Sequence, residues 1–417
     1  MLHLSLRREG ERFGFQLIGL FVMFLIGFAM FGTGLEAQTF SSGSTGADGA
    51  LSYTTPGTYY FDPRALNIDP AHDNIFNFTT INIAAGVTLK ISSKVVSGPV
   101  YWLATGDVTI AGTVDLSGED GIAQLSTLAV SSRVPSVAGS GGYGGGLGGM
   151  SGGSPAQPGN GPGGGVAATT TIAGGGAGTN TSNQFVLPLF GGSGGGGGLA
   201  AAGTFGGEGG AGGGALLIAS STRISLSSCG PAIIADGGHG GGCDAGGTCG
   251  GPGAGGSVRL VSNMVTEIGC LVVVARGARG NNSPAGDGKI RLESFSGTLP
   301  TNSNLPMAIT STPDPLLLPS TPPPTMIVTA INGVPINANP FAFPDITINT
   351  SSPIVINIEA HYVPLGTIPK VTIFSEGGPD QVVNASVGLA GTLAVSTTTA
   401  TITFPTGGSR GFVKATW

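Results

Sequence analysis

DVTIAGTVDLSGEDG, residues 107 to 121, is apolar at every second position within its two short runs. Val108 and Ile110, then Val114 and Leu116, alternate with Thr109, Thr113, Asp115 and Ser117. Successive side chains of a strand point to opposite faces, so this pattern predicts two short β-strands with one apolar side and one wet side. A single such unit cannot bury its own apolar face. It needs copies of itself above and below.

The copies are present. GPVYWLATGDVTIAGTVDLSGEDG opens at Gly98, GALLIASSTRISLSSCGPAIIADGGHG at Gly214, GSVRLVSNMVTEIGCLVVVARGARG at Gly256 and the partial GKIRLESFSG at Gly288. FTTINIAAGVTLKIS, from Phe78 to Ser92, is an earlier version without a glycine run. Short strands recurring about every 20–25 residues, once insertions are set aside, predict a right-handed parallel β-helix whose stacked coils share one apolar column.

Glycine interrupts these copies. It supplies 78 of 417 residues, with GGSGGGGG at Gly191–Gly198 and a mostly glycine stretch from Gly237 to Gly256. Each glycine costs about 1 kcal/mol relative to alanine in a helix, so the runs are not helical. Placed at one corner of successive coils, they emerge together on one flank. There they either pack as extended helices of three residues per turn, joined by backbone hydrogen bonds, or stay mobile.

After Arg291 the character changes. LPTNSNLPMAITSTPDPLLLPSTPPPT (299–325) reads as an extended linker. From Met326 the runs MIVTAI, DITIN, IVINIEAHYV, KVTIFS, GTLAVST, TATITF and GFVKATW predict a small immunoglobulin-like β-sandwich over 326–417.

At the other end, Arg7, Arg8 and Arg12 precede the apolar run LIGLFVMFLIGFAMF (17–31) and then GTGLEAQ. This is the pattern of a secretory signal peptide over 1–37, with cleavage after Ala37, or else after Gly34. Residues 38–77 then form an N-terminal cap. In it Tyr53, Tyr59, Tyr60 and Phe61 read as an apolar lid over the first coil, or alternatively as a platform for stacking carbohydrate. No other stretch is long and apolar enough to imply a membrane span. In an exported chain Cys229, Cys243, Cys249 and Cys270 favour disulfides over a metal site. Cys243 and Cys249 bracket a short loop and Cys229 and Cys270 end matching strands, which predicts the pairs Cys243–Cys249 and Cys229–Cys270.

The segments AAGVTLKIS, DVTIAGTVDLSGEDG, GGALLIASSTRISL, IIADGGHGG, GGSVRLVS and GKIRLESF resemble those of secreted bacterial glycine-rich proteins with a pectate-lyase-like β-helix. The resemblance spans Phe78 to Gly297 and implies surface or extracellular roles, with no catalytic residues to carry over. The glycine loops also resemble the bundled polyglycine helices of some phage adhesins.

Charged residues are 9% of the chain and the net charge is −6, without a basic cluster beyond the leader, which excludes a nucleic-acid partner. Three candidate chemistries remain. Gly238-His239-Gly240, with Asp236 before it and Lys289-Ile290-Arg291 on a later coil, matches elements of pectin-hydrolysing enzymes, but paired carboxylates are missing upstream. Asp115, Glu119 and Asp120 crowd one corner and are the candidates for calcium, although they lack the spacing of a calcium loop and read better as solvated turn acids. Thr80, Thr88, Thr109 and Thr113 are too irregular for a ranked ice-binding array. His72, in DPAHDN, and His361, in IEAHYV, read as separate surface or partly buried residues.

The sequence therefore leads to an exported all-β protein acting as a structural or adhesive element without turnover. No cofactor is implied beyond the calcium candidates. Expected partners are carbohydrate or cell-surface proteins, with self-assembly open. The rival readings are a polysaccharide-degrading enzyme and an ice- or surface-binding protein.

Overall fold

The computed structural model describes residues 38–122, 134–150, 155–170, 172, 174–200, 205–227, 230–243, 248–268, 272–279, 284–298, 304–336, 346–375, 381–404 and 411–417. The expected signal peptide at 1–37 and the expected Cys229–Cys270 pair lie outside them. The protein is almost entirely β, and among the described residues no helix is long and apolar enough to cross a membrane.

The first fourteen strands build two parallel sheets. In chain order they are β1 (Gly49–Tyr53), β2 (Gly57–Tyr60), β3 (Ile75–Ile83), β4 (Val87–Lys90), β5 (Val100–Ala104), β6 (Val108–Ile110) and β7 (Thr113–Asp115). There follow β8 (Ala215–Leu226), β9 (Ile233–Ile234), β10 (Ser257–Glu267), β11 (Val273–Val274), β12 (Lys289–Thr298), β13 (Asn304–Leu305) and β14 (Ile309–Ser311). One sheet runs β1-β3-β5-β8-β10-β12-β14, with β6 continuing the β5 rung between β3 and β8. The other runs β2-β4-β7-β9-β11-β13. Each visit to the first sheet is thus followed by a visit to the second, and every pairing is parallel.

In-register stacking turns the sequence alternation into a column. Val108, Ile224 and Val265 succeed one another, as do Val100, Leu216, Val258 and Ile290. All belong to one buried cluster, which Phe61, Phe76, Phe78 and Trp102 extend toward the first rungs. The Phe61 and Trp102 rings meet edge to face at 5.4 Å. Each large side chain so buried is worth about 1.5–3 kcal/mol. Tyr53 and Tyr59 contact each other at 5.0 Å and pack on this cluster, as a lid residue does. Before β1 the chain runs across the rungs: Phe40 bonds to the Asn263 side chain, the Ser42 hydroxyl to Ala104 and the Ser44 hydroxyl to Phe78.

The three glycine-rich excursions, β7 to β8, β9 to β10 and β11 to β12, all leave the second sheet and re-enter the first, so they share one corner. There the described glycine residues form an ordered lattice. The amides of Tyr143, Gly146 and Gly149 donate to the carbonyls of Gly192, Gly195 and Gly198 at 2.8–3.1 Å. The amides of those three donate on to Gly213, Gly210 and Gly207, while Gly206, Gly209 and Gly212 donate back to Gly149, Gly146 and Tyr143. A partner at every third residue is the signature of extended helices with three residues per turn. A side-chain carbon at Gly198 would lie 1.8 Å from the Thr248 carbonyl oxygen, and one at Gly212 equally close to that of Gly192. Backbone-to-backbone approach is what excludes other residues here. Cys243 and Cys249 form a disulfide at the edge of this body, as expected.

Beyond β14 the strands are antiparallel. β15 (Thr325–Ile331), β16 (Val334–Pro335), β17 (Ile354–His361), β20 (Ala390–Gly391) and β21 (Ser396–Ile402) make one sheet, while β18 (Lys370–Ser375), β19 (Gln381–Asn384) and β22 (Gly411–Thr416) make another. Ile354, Ile356, Ile358, Val371, Ile373, Ala400 and Ile402, drawn from both sheets, share one core. Two expectations shift. Ile346–Asn349 of the DITIN run joins no ladder, and GTLAVST spans the end of β20, a turn and the start of β21, the strand that takes in most of TATITF.

Candidate functional site

Where the longest glycine excursion leaves β7, a cleft of about 210 Å³ opens, lined by Lys90, Asp115, Ser117, Glu119 and Asp120 among others. Parallel register places it. Lys90 ends β4 directly beside Asp115 at the end of β7, and their side chains meet at 3.4 Å. The Asp115 carboxylate also accepts the Ser117 amide at 2.9 Å, closing the turn. Glu119 accepts the Val137 amide at 3.0 Å. Its carboxyl is raised above the ordinary range by burial, which outweighs that hydrogen bond and the Lys94 and Lys90 charges. Asp120, at the rim, accepts the His239 backbone amide at 2.7 Å and lies 3.1 Å from the ring Nδ1.

The three acids proposed for calcium are therefore brought into one cleft, but each is already engaged by an amide or a cation. Among the described residues no group of three or more His, Cys, Asp or Glu side chains is arranged to hold a metal ion. What the cleft offers is a mixture of donors and acceptors of both signs, suited to a polar ligand.

The residues proposed for an enzyme are dispersed. Asp236 is bound by Arg276 through Nε at 3.0 Å and Nη2 at 2.5 Å. His239 belongs with Asp120, contributed by the previous rung. Lys289 begins β12 in the other sheet. Arg291, two residues on, is buried with its Nε 2.6 Å from Glu293.

That last contact is part of a cluster absent from the sequence reading. Glu293, fully buried, also receives Arg259 Nε at 2.9 Å and the Asp314 amide at 2.6 Å. Arg259 reaches the Leu316 carbonyl, and Arg291 reaches Ser311 Oγ and the Gln184 carbonyl. The polar parity of VRL and IRLE marks an outward face. The segments around Gln184 and 311–318 cover it, and three charges of that face pin them down. Comparison of the chain with protein-family models, with curated proteins and with solved structures finds no match.

Proposed function

We propose that this chain is an exported, non-catalytic scaffold or adhesin, secreted or held at the cell surface. In this reading the two parallel sheets are the walls of a right-handed parallel β-helix, and the antiparallel sheets are an immunoglobulin-like sandwich. The single observation behind it is the glycine lattice. Backbone hydrogen bonds at every third residue join segments from separate excursions into a stiff body beside the sheets. Such a body orders many glycines at high entropic cost, which suits a permanent binding surface or spacer. The cleft at its border, with Lys90, Asp115, Glu119 and Asp120, is the place for a polar partner, carbohydrate foremost.

The same cleft supports the polysaccharide-degrading reading as well, because Glu119 is a half-buried carboxyl near a second acid. One assay separates the two. The chain from Gln38 onward is incubated with arrayed glycans and with soluble polysaccharides. Retention without new reducing ends or unsaturated products is the expected outcome; product release abolished by Glu119→Gln would replace the adhesive reading with the enzymatic one.

A further inference from the structure

His72 and His361, far apart in the chain, stack ring on ring, with centroids 4.8 Å apart and planes 19° from parallel. His72 lies in the 67–74 loop, between the short helix α1 (Pro63–Leu66) and β3, while His361 ends β17. The Tyr362 hydroxyl adds a second contact, donating to the Ala71 carbonyl at 3.1 Å. The loop is tightly formed. Asn67, Asp69, His72 and Asn74 all take left-handed φ values of 53–59°, and the Asp69 carboxylate accepts the amides of Asp73 and Asn74.

The surroundings of His361 specify its protonation. The residue is buried, with Nδ1 2.8 Å from the Ala394 carbonyl oxygen and Nε2 3.0 Å from Glu359 Oε1. A carbonyl and a carboxylate only accept. A neutral imidazole has one N–H and would turn the lone pair of its other nitrogen toward an oxygen. The imidazolium donates to both.

We propose that His361 is held as the imidazolium and that its proton clasps the 67–74 loop, through the His72 ring, against β17. The contact is then tighter in mild acid than in alkali. An imidazolium above an aromatic ring is itself attractive. The other titratable and charged groups facing the pair are Glu359 and the neutral phenol of Tyr362 on the β17 side, Asp69 and Asp73 in the loop, and Arg64 of α1 acting on Glu359.

The electrostatics run the same way. Burial opposes the charge on His361, but the hydrogen bonds to Glu359 and Ala394 and the charges of Glu359 and Asp69 outweigh it, leaving the ring above the ordinary histidine value. Glu359 is held below the usual glutamate range, first by its hydrogen bond to His361. A raised histidine contributes stability in full below its unfolded value and loses it as pH climbs through the folded one. Asp69, pushed up to about 7 chiefly by burial, sheds its proton in the same direction.

Hydrogen exchange of the 67–74 amides, corrected for intrinsic rates, tests the clasp at about pH 6 and about pH 9, on either side of the histidine range. Protection severalfold higher at the lower pH is expected. In His361→Gln that difference should fall to the smaller part that Asp69 contributes, and in His72→Ala protection should be low at both pH values. Equal protection at both pH values in the parent protein, or a difference undiminished in His361→Gln, overturns the proposal. Should His361→Gln not fold, NMR titration of the parent decides: a neutral His361 ring at pH 6 overturns the proposal, an imidazolium supports it.

Discussion

Gly197 and Leu147 approach so closely that a side-chain carbon on Gly197 would sit 1.9 Å from the Leu147 carbonyl oxygen. The obstacle is backbone, which cannot swing aside as a flexible side chain would. Gly197→Ala is therefore expected to lower stability by about 2–4 kcal/mol, since neighbouring glycine helices must separate to admit it. Gly230 meets nothing within 4 Å, and Gly230→Ala should stay within about 0.5 kcal/mol of the parent. Urea unfolding midpoints of the two variants check the contrast.

Glu293 neutralises two buried guanidinium groups at once. Removing its charge strands both Arg259 and Arg291, and breaking a buried pair in this way costs about 3–5 kcal/mol. Glu293→Gln should show that loss in chemical denaturation. Arg223→Ala, which breaks the exposed pair with Asp107, should cost no more than about 1 kcal/mol. Equal losses from the two substitutions would contradict the burial argument.

The Asn263 side chain accepts the Phe40 amide at 2.7 Å and donates to the Phe40 and Ser221 carbonyls at 2.8 and 2.6 Å. Each hydrogen bond contributes about 0.5–1.5 kcal/mol net, so the loss of all three in Asn263→Ala should loosen the N-terminal crossing by about 1.5–4.5 kcal/mol. Limited proteolysis is the readout. Cleavage before β1 should accelerate in the variant, while the glycine body keeps its resistance.

Burial raises the Glu119 carboxyl, and a carboxyl raised on folding loses its stabilising contribution as pH climbs from its unfolded to its folded value. Glu119→Gln keeps an oxygen for the Val137 amide but carries no charge. It should flatten the decline in melting temperature as pH rises from about 4 toward neutrality. A variant whose pH profile superimposes on that of the parent would show that the group does not titrate in this way.

Part of this architecture is readable before any coordinates. Val108, Ile110, Val114 and Leu116 announce their buried face because strand geometry acts on neighbours in sequence. The common corner of the glycine runs follows from the same repeat, and Cys243 and Cys249 are close enough in sequence to pair. The site was less legible. Asp115, Glu119 and Asp120 were visible as acids, but Lys90 joins them only through the register of β4 with β7, and His239 through the height of one rung. Arg259 and Glu293 did not stand out, because nothing in their own strands reveals that later segments cover them.

Sequence alone determined the two-residue period of the strands and the recurrence of about one rung per repeat, while for the glycine runs it left ordered packing and mobility both open. These depend on bonds and sterics within a few residues, so the chain carries them explicitly. Tertiary structure alone decided which glycine carbonyl meets which amide, which charges are buried together, and that His72 finds His361. Such meetings depend on the summed register of every rung and turn between the partners, a quantity that no single stretch of the chain encodes.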